Sequence, residues 1–292
     1  MPLTGIIAGV HLGGIITAMA TAFDEQGRLA EEETVHLMRH LVANGSDGLV
    51  LAGTTGEAST LTDAEKRRIW ALGVAECRGT ATVIAGTGSN DTAHSVHLTE
   101  QATELGVDAV LLVTPYYNKP NRRGLIAHFR AVAGATDRPV IIYNIPSRCV
   151  IDLPNDLLRE LAEIPNVTAV KQARFDDMEP IEGLDLLAGN DEVLAEVLDM
   201  GGTGGILVAS HLVGDEMRRM IDEPSERGRI TEEIAGVVEA MALTSNPIPL
   251  KAALNLLGHR VGSPRLPLVP ASDEEVDTIR AALERHGLLS TV

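Results

Sequence analysis

The chain has 292 residues, 45% of them apolar and 22% charged, and a net charge of −17. Such a length and apolar share can bury a large core, in one large domain or one plus a small appendage, and exclude a disordered chain. The acidic balance excludes a surface made for nucleic acid or an anionic membrane, because either needs a basic face to release counterions.

The first apolar stretch, residues 5–23, has no Lys or Arg before it and is interrupted by His11, so a signal peptide is not expected. Its later part, residues 15–20, reads as a first strand. Short β-rich runs recur at 48–52, 82–85, 109–113, 140–143, 167–171, 184–187 and 205–208. Helical spacing with charged faces fills intervals between them, as at 31–42, 63–77, 93–105 and 154–163. No stretch reaches the ~20 apolar residues of a membrane-spanning helix. Eight strands in βαβ order predict an α/β fold, a closed (β/α)8 TIM barrel. A doubly wound open sheet is the alternative, disfavoured because no G-x-G-x-x-G follows the first strand. After about Arg227 only helical periods appear, at 230–242, 249–257 and 273–286, broken by the turn-rich segment 262–267. The expected division is a catalytic barrel over 1–227 and a small C-terminal helical domain over 228–292.

In such a barrel the chemistry sits on loops that follow strands. Lys171, one of four lysines against 20 arginines, ends the apolar run of strand six. Burial there disfavours the ammonium and leaves free amine able to attack a ketone, whereas a solvated strand-end lysine is the bland alternative. The chain's three tyrosines, Tyr116, Tyr117 and Tyr143, all fall at strand ends facing it and can move protons, although a packed pair would serve equally to cap the barrel. The turn Gly53-Thr54-Thr55-Gly56-Glu57 offers hydroxyls and backbone N–H groups for a small carboxylate, or helix caps. Arg148 suits a second carboxylate, or a surface ion pair. The Gly201-Gly202-Thr203-Gly204-Gly205 run precedes strand eight, on the face opposite the site, and is not read as a phosphate loop. His36 with His40, and His94 with His97, lie on outer helices without a third ligand, so no metal site is expected. Cys77 and Cys149 cannot form a disulfide framework and match no zinc or redox spacing, which fits a reducing cytoplasm.

Taken together, GTTGE at 53–57, TPYYNKP at 114–120, YNIPSR at 143–148 and Lys171 resemble the pyruvate-dependent class I aldolase family, to which N-acetylneuraminate lyase belongs. The likeness spans nearly the whole chain, from TAMATAF at 17–23 through GGTGGI at 201–206 to NPIPLK at 246–251 and PRLP at 264–267. It implies a TIM barrel in which Lys171 forms an imine with pyruvate and Tyr143 transfers protons. Thr54 would link Tyr143 to Tyr117, which in this family enters the neighbouring subunit's site. The assembly implied is a dimer at least, usually a tetramer. Thr55 matches the pyruvate carboxylate site, Ile206 lines the opposite wall, and Arg148 matches the arginine that holds the carboxylate of aspartate semialdehyde. No metal or cofactor is implied. Arginine at 148 favours the branch that condenses pyruvate with aspartate semialdehyde in lysine and diaminopimelate biosynthesis. A lyase acting on a 2-keto-3-deoxy sugar acid or sialic acid is the alternative, and a barrel that binds pyruvate without turnover is a third reading.

Several positions depart from the family pattern. Cys149-Val150 replace a usual Thr-Gly, Gln172 stands where an acidic residue is common, and His211 where asparagine is usual. Asn90 and Tyr116 match the family's lysine-inhibition pocket, but His94 replaces its acidic residue and Lys66 a usual histidine. Weak or absent inhibition by lysine is therefore expected.

Overall fold

The computed structural model describes residues 12–290. Residues 5–11 of the first apolar stretch, and both ends of the expected domain division, lie outside the described residues. The chain forms eight strands: β1 (Ile15–Ala18), β2 (Gly48–Leu51), β3 (Thr82–Gly86), β4 (Ala109–Val113), β5 (Val140–Asn144), β6 (Val167–Gln172), β7 (Asp185–Ala188) and β8 (Gly204–Leu207). All neighbours pair in parallel, and β8 returns to β1 to close the barrel. The TIM-barrel expectation is met, and each strand falls within two residues of its expected limits. Gly204 belongs to that closure, because a Cβ there would lie 1.9 Å from the Gly14 carbonyl oxygen. Close strand approach thus accounts for a glycine of the 201–205 run.

The helices are α1 (Glu31–Ala43), α2 (Asp63–Cys77), α3 (Thr92–Leu105), α4 (Arg122–Ala133), α5 (Pro146–Cys149), α6 (Asn155–Leu161), α7 (Leu194–Asp199), α8 (Ser210–Asp222), α9 (Arg227–Met241), α10 (Ile248–Leu256) and α11 (Asp273–His286). Strand side chains alternate between faces. One set, including Ile16, Val50, Ile84, Leu111, Ile141, Ala169, Leu187 and Ile206, fills the barrel interior. Their neighbours, among them Leu49, Val83, Val110, Ile142, Val170 and Leu186, join the larger core beneath the helices. Helix ends use ordinary chemistry: Thr62 and Glu65 form a reciprocal capping box on α2, as Ser272 and Glu275 do on α11. No described helix is long and apolar enough to cross a membrane.

The helices after α8 join the barrel directly. Lys251 of α10 is 1% exposed and its Nζ lies 2.6 Å from Glu57 Oε1, in the turn after β2. Arg265 donates its backbone N–H to Glu57 Oε2 at 2.8 Å. Its guanidinium and Lys251 Nζ each lie 4.2 Å from the Phe23 ring centre. The strand-end turn and the C-terminal segment are therefore one packed unit.

Candidate active site

Period-two alternation puts Lys171 on the interior face with Ala169, and Tyr143 on the interior face with Ile141. A register shift decides whether they meet. Val140 pairs with Val167, but Ile141 pairs with Ala169, so Thr168 is an extra residue in β6 and its hydroxyl is buried without a partner. Without the shift Tyr143 would face the outward Val170. With it, Tyr143 pairs with Lys171 and the ammonium nitrogen stands 4.2 Å from the ring centre.

Lys171 is 5% exposed. Burial brings its amine down to about 7, assisted by the Arg148 charge and opposed by Asp191. Three of the four lysines are buried, so burial alone does not single it out. Lys251 is neutralised by Glu57 in direct contact, and Lys66 lies on α2. Lys171 makes no ion pair among the described residues and opens onto a cavity of about 410 Å3, in the range of small-molecule sites. Burial pushes the Tyr143 hydroxyl above its ordinary value, which keeps it protonated and able to donate.

The same cavity is lined by Thr54 and Thr55 after β2, Arg148 after β5, and Asn190, Asp191 and Glu192 after β7. Thr55 is buried, and its hydroxyl accepts a 2.9 Å hydrogen bond from Asn246 Nδ2. Thr54 and Arg148 are exposed at the mouth, and the Arg148 guanidinium pairs with no carboxylate among the described residues. Arg148 sits in the short α5, which ends at Val150 with φ 61. Ile206 is fully buried in the barrel interior and is not among the residues that line the cavity, which include Val208. Tyr117 is not among the residues that line the cavity: it stands 87% exposed with φ 72. Tyr116 lines an adjoining cavity of about 490 Å3 with Lys66, Asn90 and His94.

Four of the expected site residues, Lys171, Tyr143, Thr54 and Thr55, share one cavity with Arg148 at its mouth. A sequence model of the Dihydrodipicolinate synthetase family matches residues 11–286. The chain belongs to the dihydrodipicolinate synthetase family. The 4-hydroxy-tetrahydrodipicolinate synthase of Desulforudis audaxviator is 44% identical to this family member over 293 residues, covering 96% of this chain and 99% of the relative. The crystal structure of the Cyanidioschyzon merolae enzyme with lysine bound superposes with a TM-score of 0.91 at 39% identity, covering 95% of this chain and 99% of that one. The chloride-inhibited Acinetobacter baumannii enzyme complexed with pyruvate gives a TM-score of 0.91 at 33% identity, covering 95% of this chain and 100% of that one.

The departures from the family pattern are accommodated locally. The Gln172 side-chain oxygen accepts from Asn144 Nδ2 at 3.0 Å. His211 Nε2 accepts from the Ala20 N–H at 3.1 Å, and its Nδ1 faces the Val208 carbonyl at 2.8 Å, so the proton lies on Nδ1. Burial lowers this ring to about 4, which keeps it neutral. Cys149 is buried, with its thiol pushed up to about 11, and is an inert packing residue.

Sequence reasoning missed two parts of the cavity. Asp191 follows β7 and could have been found by applying the rule of strand-following loops to every strand. Asn246 carried no such signal: it lies 191 residues from Thr55, in the segment expected to be an appendage.

Proposed function

We propose that the chain is a 4-hydroxy-tetrahydrodipicolinate synthase, an aldolase-type lyase that condenses pyruvate with L-aspartate 4-semialdehyde in lysine and diaminopimelate biosynthesis. The observation that carries this reading is the inward pairing of Tyr143 with Lys171 in a small cavity. The free amine of Lys171 attacks C2 of pyruvate, and the ketone oxygen takes up two protons and leaves as water. The resulting iminium loses a C3 proton to become an enamine. Its C3 bonds to the aldehyde carbon of the second substrate, whose oxygen becomes a hydroxyl. The amino group of that substrate then attacks C2, closes the ring and displaces the lysine amine.

Tyr143 donates to and accepts from the oxygen that departs, relaying protons through Thr54 and Tyr117 of a neighbouring copy. Thr55 and the backbone of its turn receive the pyruvate carboxylate, with Ile206 on the opposite wall. Arg148, free of any protein carboxylate, takes the carboxylate of the semialdehyde. The iminium is itself the electron sink, so the reading calls for no metal or cofactor. The structure with pyruvate from Acinetobacter baumannii supports pyruvate as the first substrate. The exposed Tyr117 supports a homo-oligomer, a tetramer built from dimers that share it. The two free, buried cysteines fit a cytoplasmic setting. A barrel domain over 1–227 and a helical domain over 228–292, with the second supplying Asn246, is the organisation we propose.

Borohydride added with pyruvate is expected to fix a pyruvate-sized adduct on Lys171, faster as pH rises through about 7, where the amine becomes free. An adduct that persists in Lys171→Ala would sink the mechanism. Rates with aspartate semialdehyde should far exceed those with sugar aldehydes, and the reverse order would move the assignment to a sugar-acid lyase.

A further inference from the structure

The cavity holds a carboxylate that the proposed reaction does not use. Asp191 opens the short 3-10 turn after β7, and its Oδ1 accepts the backbone N–H groups of Val208 at 2.9 Å and Ala209 at 3.0 Å, just past β8. Its other oxygen, Oδ2, has no hydrogen-bond partner among the described residues, and the side chain lines the cavity that Lys171 opens onto. The carboxylate is thus fixed in place by two amides while half of it stays available to the cavity.

Around Lys171 the charged and titratable groups are few. β5 and its following turn contribute Tyr143 and Arg148, the loop after β7 contributes Asp191 and Glu192, and α9 contributes only the apolar Val238 and Met241. Arg148 and burial both favour the neutral amine. That suits attack on a ketone but opposes the product of the attack, because the iminium is cationic for as long as it lives. A buried cation flanked only by a guanidinium would be driven back to hydrolysis.

From this arrangement we infer that Asp191 is a positioning residue that provides the countercharge for the Lys171 iminium, held off direct contact so that the free amine can still form. The inference rests on the imine reading above. Contact would hold the lysine as the ammonium, the form that Glu57 favours in Lys251 at 2.6 Å. Asp191 makes no such ion pair with Lys171, yet its charge raises the lysine while the lysine lowers it in return. Burial lifts Asp191 to about 6, so the countercharge is present above that pH and fades below it.

The direct test reads the amine without pyruvate. Carbamylation of Lys171 by cyanate, followed across pH by peptide mass spectrometry, reports the free-amine fraction. In Asp191→Asn, whose side-chain oxygen can still accept from Val208 and Ala209, the midpoint should fall by about one pH unit, a tenfold gain in free amine below the midpoint. Borohydride trapping with pyruvate at pH 8 should nevertheless drop several-fold, because the iminium is shorter-lived. Asp191→Glu should keep the midpoint near that of the unsubstituted protein. Asp191→Ser, which also keeps an acceptor, repeats the loss of charge should the asparagine variant fold poorly. An unchanged midpoint in both uncharged variants overturns the inference, whether or not pyruvate forms an imine. A shifted midpoint in a protein that traps no pyruvate supports the charge coupling and overturns the imine reading instead.

Discussion

Val150 shows how one residue can alter a site without touching substrate. It ends α5 in the left-handed region, φ 61, with its β-branched side chain 68% exposed, two residues after Arg148. That conformation is strained for valine and free for glycine, so Val150→Gly should raise stability by about 1 kcal/mol, read as a higher denaturant midpoint at constant slope. A lower midpoint would show that packing outweighs the strain. Lys66 and His94 bear on regulation in the same single-residue way. His94 Nε2 lies 3.0 Å from both Asp63 oxygens, and Lys66 brings a cation to the cavity that holds Asn90 and Tyr116. Of the two carboxylates that line this cavity, Asp63 is engaged by His94 and Asp91 caps α3, and the Lys66 charge repels a cationic effector. Sub-millimolar L-lysine should leave the steady-state rate unchanged; inhibition in that range would refute the charge argument.

At the scale of elements, the turn after β2 is clamped from behind by α10. Glu57 has φ 57 and is 3% exposed, and its carboxylate takes Lys251 on one oxygen and the Arg265 N–H on the other. Removing one member strands a buried charge, so Lys251→Met should cost about 3–5 kcal/mol, and the double variant with Glu57→Gln less than Lys251→Met alone. Urea titrations of the set decide it, and additive losses would mean that the two side chains are not coupled. Because Thr54 and Thr55 lie in this turn, Lys251→Met should also lower kcat. The strands themselves were legible because each is a short apolar run bounded by polar turns, and parity then places Lys171 inward. The meeting of Lys171 with Tyr143 was less legible, since it depends on Thr168 being skipped in the β5–β6 register. No local pattern in V-T-A-V-K marks Thr168 rather than its neighbours as the extra residue. The reach of Asn246 to Thr55 was not legible either, because a contact between residues so distant in sequence leaves no periodicity behind.

At the scale of the whole molecule, one chain does not by itself complete the proposed relay. Tyr143 and Thr54 line the cavity, whereas Tyr117 is not among its lining residues and stands 87% exposed with φ 72. An exposed aromatic in a left-handed conformation is an uncommon feature that a local turn alone does not require. If Tyr117 completes the relay in a partner's cavity, two differently damaged chains can repair one another. Lys171→Ala lacks the nucleophile but keeps Tyr117; Tyr117→Phe keeps the nucleophile but lacks the hydroxyl. In a mixed dimer, one cavity then joins the intact Lys171 of one copy to the intact Tyr117 of the other, and the second cavity lacks both. Random pairing puts half the chains in mixed dimers with one good site each, so co-expressed variants should recover about a quarter of the unsubstituted activity. Each variant alone should fall well below that level, and sedimentation should show the same assembly in all samples. If the mixture yields only the average of the separate variants, Tyr117 serves its own chain or none, and the shared-site assembly fails with it.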